Sequence, residues 1–273
     1  DGRGKQRPYR RPNREGTGMG ALTGRSALVT GAGMGIGEGI ARQLALAGAD
    51  VALHFAGSAE GAQGAAAEIE RMGRKAIVVQ GDLRHRAECE RVVDAAIAAF
   101  DGLDILVNNA GVTRDQPFEE TTEALYDEMF DLNMKGYFFC AQRALPALEA
   151  SGHGVILNIT SVHGYGGAPN HVAYAATKGA IIAFTRGLAI ELTRKHVRVN
   201  AIGPGIIEVP RYFDRPGYTT EVGAAMVPWG RVGLPADIGK AAEFLVSDAA
   251  EFITGQVLYV DGGTTARLGG NWR

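Results

Sequence analysis

Residues 161–179 read SVHGYGGAPNHVAYAATKG and bring Ser161, His163, Tyr165, His171, Tyr174 and Lys178 into one short stretch. Three chemistries compete for these residue types. A serine with histidines near it suggests acyl transfer, two histidines suggest a metal, and a tyrosine four residues before a lysine suggests proton transfer. The histidines are eight apart with no acidic pair near them in sequence, which is poor spacing for zinc, so no metal is expected. Ser161 lacks the G-x-S-x-G frame of a hydrolase nucleophile. Tyr174 and Lys178, at i and i+4, project from one helical face. A tyrosine with a pKa of ~10 is a poor base at neutral pH, and lowering it by about three units takes roughly 4 kcal/mol of phenolate stabilisation. A neighbouring ammonium can contribute that stabilisation.

Around this stretch the chain alternates short apolar runs with longer amphipathic segments. RSALVTG, DVALHF, KAIVVQGD, LDILVNNAG, GVILNITS, VRVNAIGPG and GQVLYVDGG read as strands, and helical patterns separate most of them. One continuous helical stretch is expected through ALYDEMFDLNMKGYFFCAQRALPALEAS, and an irregular section up to about Pro235. Strands nearly continuous in Val, Ile and Leu, each followed by a helix, imply an α/β, doubly wound parallel sheet of Rossmann type covered on both faces. Ligands bind such sheets at the carboxyl ends of the strands, so the candidate residues lie in the loops beginning TGAGMGIG, FAGS, GDL, NNAG, TSVHG and GPGIIEV.

The first of these loops fails G-x-G-x-x-G and instead places Gly31, Gly35 and Gly37 in a G-x-x-x-G-x-G spacing. Taken alone, a tight strand-to-helix turn accounts for it as well as a dinucleotide site does. Asp50 stands at about the usual distance for the acidic residue that holds an adenosine ribose, but at the wrong end of its strand. Five strand residues at ~3.3 Å each leave it roughly 17 Å from the carboxyl end. Phe55 occupies the position that faces the ribose. No carboxylate there repels a 2′-phosphate and no Arg or Lys attracts one; His54 and Ser58 are candidate donors. The balance tips slightly to NADP(H) over NAD(H).

The chain has 273 residues, 46% of them hydrophobic and 21% charged, with a net charge of −2. That composition fits one ordinary globular domain and creates no global field for nucleic acid. No apolar run of eighteen residues is present to span a bilayer. Cys89 and Cys140 lie far apart without metal spacing and are expected to be reduced thiols of a cytoplasmic protein. Residues 1–20 carry six Lys or Arg against two acidic side chains and read as a basic, flexible leader ahead of a single domain over 21–273.

The pieces TGAGMGIG, Asp82 in QGDL, NNAG at 108–111, Asn133 in DLNMKG, Ser161, YAATK at 174–178 and PG at 204–205, in this order, resemble the short-chain dehydrogenase/reductase family from Leu22 to Gly263. The resemblance implies that Gly31, Gly35 and Gly37, with Gly33, Met34 and Ile36 between them, cradle a pyrophosphate. It places Asp82 and Leu83 at the adenine, Asn109, Ala110 and Gly111 along the ribose, and Pro204, Gly205 and Ile207 at the nicotinamide. Asn133, Ser161, Tyr174 and Lys178 would be the catalytic group, with Tyr174 moving a proton and Ser161 holding the substrate oxygen. Lys178 would also bind the nicotinamide ribose, and Asn133 a water leading to solvent. Val209 stands where the family commonly has a threonine for the carboxamide.

The activity so implied is hydride transfer between nicotinamide and a secondary alcohol or carbonyl. SVH and IGPG are similar to the family's sugar dehydrogenases, and HFAGS to its 3-oxoacyl-carrier-protein reductases. His163, Tyr165 and His171 are candidate substrate contacts. A catalytically idle cofactor-binding module, with a sensing or scaffolding role, is the non-enzyme alternative. A homotetramer is expected, pairing the helices at about 115–150 and 172–194 with their symmetry mates.

Overall fold

The computed structural model describes residues 20–267; the leader expected over residues 1–20 therefore lies, but for Gly20, outside the described residues. The chain runs β1 (Ser26–Val29), α1 (Gly35–Leu46), β2 (Asp50–Phe55), α2 (Ala59–Arg71), β3 (Ala76–Gln80), α3 (Arg86–Phe100), β4 (Ile105–Asn108) and α4 (Glu123–Phe130). It continues through α5 (Gly136–Ser151), β5 (Val155–Ile159), α6 (Val172–Leu192), β6 (Arg198–Pro204), α7 (Thr220–Met226), α8 (Pro235–Val246) and β7 (Val257–Val260). All seven strands form one parallel sheet in the order β3-β2-β1-β4-β5-β6-β7. The strand order reverses between β1 and β4, and at such a switch point the diverging loops leave a crevice.

Strand side chains alternate between two layers, as their period of two requires. Ala27 and Val29 pack with Ile40 and Leu44 of α1, Ile69 of α2 and Ile238 of α8. Leu28 between them faces the other way, into Val92 and Ala96 of α3, Cys140 and Leu148 of α5, and Leu192 of α6. Both faces of the sheet are thus covered, which is why the strand residues are mostly apolar and their buried asparagines are hydrogen-bonded inside the protein. The two cysteines, distant in sequence, share the buried layer where α3 packs on α5, and Cys89 Sγ donates to the Leu83 carbonyl at 3.3 Å.

Two departures from the sequence expectation bear on the site. The helical stretch expected to be continuous is divided by a π-turn at Asp131–Lys135, and Asn133 sits inside that wider turn, fully buried. The irregular section before Pro235 contains the short α7, started by the Thr219 hydroxyl, which accepts the Val222 N–H.

Candidate active site

The crevice at the carboxyl ends of β1, β2, β4, β5 and β6 is a continuous cleft of about 1590 Å³. Sites for one small molecule run to about 300–1,000 Å³, so this volume suits a dinucleotide together with a second molecule.

Its floor is the turn between β1 and α1. Gly31 has φ +65°, and a Cβ there would come within 2.9 Å of Ala110 Cα; at Gly37 a Cβ would come within 2.4 Å of the Asn109 amide nitrogen. Only glycine fits both positions. Thr30 braces the turn from below. Its hydroxyl accepts the backbone N–H groups of Asn109 and Ala110 at 2.8 and 3.0 Å, while Asn109 Nδ2 donates to the carbonyls of Thr30 and Gly31. Met34 precedes α1 without a side-chain cap, so the first N–H groups of the helix are left for a ligand. An uncapped helix start behind glycines is a seat for an anion, and the residues present fit a dinucleotide pyrophosphate.

His54 is not the cofactor donor that the sequence suggests. The ring is buried, its Nδ1 accepts the Gly31 N–H at 3.1 Å and its Nε2 lies 3.0 Å from the Gly81 carbonyl. With both nitrogens engaged inside the protein, and burial holding its pKa below the ordinary value, it is a neutral strut between the glycine turn and the loop after β3. Phe55, one position on, lines the cleft as well. Asp50 accepts the Lys75 N–H at the opposite end of the strand.

At the adenosine end Asp82 and Leu83 line the cleft with two residues the sequence reading missed, Arg84 and Arg91. Arg84 grips both oxygens of Asp82 at 2.6–3.0 Å, and that hydrogen bonding holds the carboxyl below its usual pKa. Arg91 is paired with Glu88 at 2.7 Å.

At the other end α6 presents Tyr174 and, one turn on, Lys178. Both lie in the cleft with Ser161. Thr113 lines the cleft with them, and it carries no sequence signal that could have marked it. Lys178 is buried, with Nζ donating to the Ile159 carbonyl at 2.9 Å and standing 5.6 Å from the centre of the Tyr174 ring. No carboxylate of the described residues pairs with this ammonium. Burial, helped by the nearby Arg211 cation, pushes its pKa down to about 7. Burial also raises the Tyr174 phenol, against the lowering by Thr113, Ser161 and Arg211.

Asn133 is held on both sides of its amide. Its Oδ1 accepts the Val112 N–H at 2.8 Å, and Nδ2 donates to the Val112 carbonyl and to Thr177 Oγ1 at 2.9 and 3.0 Å. Both N–H donors are used and Oδ1 keeps one lone pair, so the side chain ties the loop after β4 to α6. Of the three candidate substrate residues, His163 and His171 line the cleft as a stacked pair with ring centres 4.7 Å apart. Tyr165 does not: it is exposed, with its ring against Tyr259 at 5.6 Å. Asp115, which sequence spacing did not associate with the histidines, lies 3.2 Å from His171 Nε2 and 2.9 Å from Arg215.

Pro204, Gly205 and Ile207 border the cleft, and the Val209 side chain lies against Gly35, bringing the segment after β6 over the glycine turn. No hydroxyl stands at that position. The expected cofactor residues thus line one cleft, and so do Ser161, Tyr174 and Lys178.

The family profile described as Enoyl-(Acyl carrier protein) reductase matches residues 31–265. The 3-oxoacyl-[acyl-carrier-protein] reductase FabG of Staphylococcus aureus (strain Mu50) is 38% identical over 88% of this chain and 97% of its own length. A hydroxynaphthalene reductase-like protein Arp2 of Metarhizium robertsii is 38% identical over 89% of this chain and 96% of its own. Among solved structures, a candidate short-chain alcohol dehydrogenase from Sinorhizobium meliloti 1021 superposes with a TM-score of 0.85 at 41% identity, covering 90% of this chain and 98% of that one. With the parallel sheet, the glycine turn and the Tyr174–Lys178 pair in one cleft, these likenesses lead to one conclusion: the chain belongs to the short-chain dehydrogenase/reductase family of oxidoreductases.

Proposed function

We propose that the protein transfers a hydride between NADP(H) and a secondary alcohol or carbonyl, with Asn133, Ser161, Tyr174 and Lys178 as the catalytic group. The observation that carries this reading is a buried ammonium with no carboxylate partner beside a phenol that shares its cleft with the Ser161 and Thr113 hydroxyls. A bound nicotinamide would supply or accept the hydride. Ser161 holds the substrate oxygen, and Tyr174 gives it a proton in reduction or takes one in oxidation. Lys178 favours the phenolate whenever it is charged. Gly31, Gly33, Met34, Gly35, Ile36 and Gly37 hold the pyrophosphate, and Asn109, Ala110 and Gly111 the ribose. Asn133 keeps α6 and the loop after β4 in register.

The substrate is proposed to be a polar, hydroxylated molecule such as a sugar or polyol, in keeping with His163 and His171 in the recess. Reduction of a 3-oxoacyl thioester is the second reading, favoured by the 38% identity to a reductase of that description. Sugars, polyols and oxoacyl thioesters, each followed at the nicotinamide absorbance with both cofactors, test the two together. Cofactor binding with no turnover of any secondary alcohol or ketone would overturn the enzyme reading in favour of a binding module.

The NADP(H) preference rests on the uncharged Phe55, which sets no carboxylate against a 2′-phosphate. Phe55→Asp is expected to shift the NADP/NAD ratio of kcat/KM about tenfold or more toward NAD, by setting a carboxylate where a 2′-phosphate would sit. An unchanged ratio would show that Phe55 is not at the ribose.

We further propose a cytoplasmic homotetramer. No helix of the described residues is long and apolar enough to cross a membrane. Phe118, Tyr126, Phe138 and Ile190 expose apolar surface on or beside α4, α5 and α6, and Phe244, Phe252 and Leu258 do so at the β7 edge. Two separate apolar faces suit two kinds of subunit contact, and an uncovered edge strand calls for a cover. Light scattering at low micromolar concentration is expected to give four times the chain mass; a fully active monomer would refute the assembly.

A further inference from the structure

Four arginines line the cleft, and three of them are matched: Arg84 by Asp82, Arg91 by Glu88 and Arg215 by Asp115. Arg211 has no carboxylate partner among the described residues. It lies in the segment after β6 that closes over the catalytic end, against Tyr212, whose ring centre is 5.7 Å from the Arg211 guanidinium and 5.2 Å from that of Arg215. It lines the same cleft as Tyr174 and Lys178, and its charge lowers the pKa of both. Of the acids near this recess, Asp115 is divided between Arg215 and His171, and Glu128 is held by Arg114. Glu208 is turned away to the Thr220 hydroxyl at 2.7 Å. The catalytic end therefore holds two cations, Lys178 and Arg211, with no protein anion assigned to either.

We propose that Arg211 anchors a carboxylate of the substrate, so that the molecule converted beside Tyr174 is an oxo acid or hydroxy acid; this rests on the hydride-transfer reading above and names its substrate class. A guanidinium fork matches the two oxygens of a carboxylate, and such pairs are among the stronger hydrogen bonds. A phosphate dianion would call for more than one unmatched cation, and the neighbouring Arg215 is already neutralised. The dinucleotide phosphates have their own seat at the uncapped start of α1, leaving Arg211 to the second molecule in the cleft.

The test uses the full chain with NADPH, straight-chain oxo acids of four to eight carbons with their methyl esters, and hexanoate with methyl hexanoate as unreactive probes. Wild type should reduce the acids with kcat/KM about tenfold or more above the esters, and Arg211→Gln should bring that ratio near one through KM. Calorimetry on the NADPH complex should show hexanoate binding that weakens by a similar factor in Arg211→Gln, while methyl hexanoate does not discriminate the two proteins. Equal turnover of acids and esters by wild type would overturn the acid site and leave hydride transfer standing. Arg211-dependent hexanoate binding without turnover of any oxo acid would do the reverse. Weaker NADPH binding by Arg211→Gln before any acid is added would move Arg211 to the cofactor and overturn the proposal.

Discussion

Tyr174→Phe is expected to lower kcat by about a hundred- to ten-thousandfold, the range a positioned general acid or base contributes, while cofactor affinity changes little. The ring stays, so its packing beside His163, at 5.9 Å between centres, and its place one turn before Lys178 are kept. What disappears is the phenol oxygen and its proton. The phenol in the free protein is held neutral by burial, which is the form that can donate to an oxyanion formed by carbonyl reduction. Single-turnover reduction with prebound NADPH separates the effects: the chemical step should slow while the dissociation constant for NADPH, read from its fluorescence, stays within about twofold. If Tyr174→Phe kept most of its turnover, the proton would have to come from elsewhere and the proposed mechanism would fall.

How far the sequence reaches can be seen residue by residue. The alternation of β and α and the carboxyl-end rule place Gly31, Asn109, Ser161, Tyr174 and Pro204 at one cleft, because continuous apolar runs can only be buried strands and their ends must open on the same edge. Single-residue questions of facing were harder. His54 and Phe55 differ by one position and therefore point to opposite sides of β2; only the register with β3 decides that His54 turns inward to Gly81. Tyr165 is carried out of the site by the 3-10 turn at Val162–Gly164, which spacing alone does not reveal. Thr30, Thr113 and Arg84 act through contacts with neighbours and carry no motif of their own. The nearness of Cys89 to Cys140, and of Asp115 to His171, follows from how helices and loops pack, which linear separation does not encode.

Lys178→Met is expected to abolish most turnover and weaken cofactor binding, yet to stabilise the cofactor-free protein below neutral pH. The reason is the cost of burying this ammonium without a counter-ion: its pKa falls from 10.5 to about 7. The sign follows from proton counting. Between about pH 7 and 10.5 the unfolded chain binds more protons at this site than the folded one, so wild-type stability rises with pH across that window. Below pH 7 both states are protonated and the folded protein carries the whole penalty, about 5 kcal/mol at 1.36 kcal/mol per pKa unit. Loss of the bond to the Ile159 carbonyl takes back about 1 kcal/mol. Methionine keeps the length and apolar stem of the side chain, so Lys178→Met should raise the melting temperature by several degrees at pH 6, with the gain shrinking to nothing by about pH 10.5. A difference that does not change with pH, or a wild type more stable at pH 6, would show that the ammonium is not strained by burial. The strain would then not be available for the reaction. As proposed, the protein keeps a destabilised cation beside Tyr174, and the phenolate is the counter-ion that relieves it.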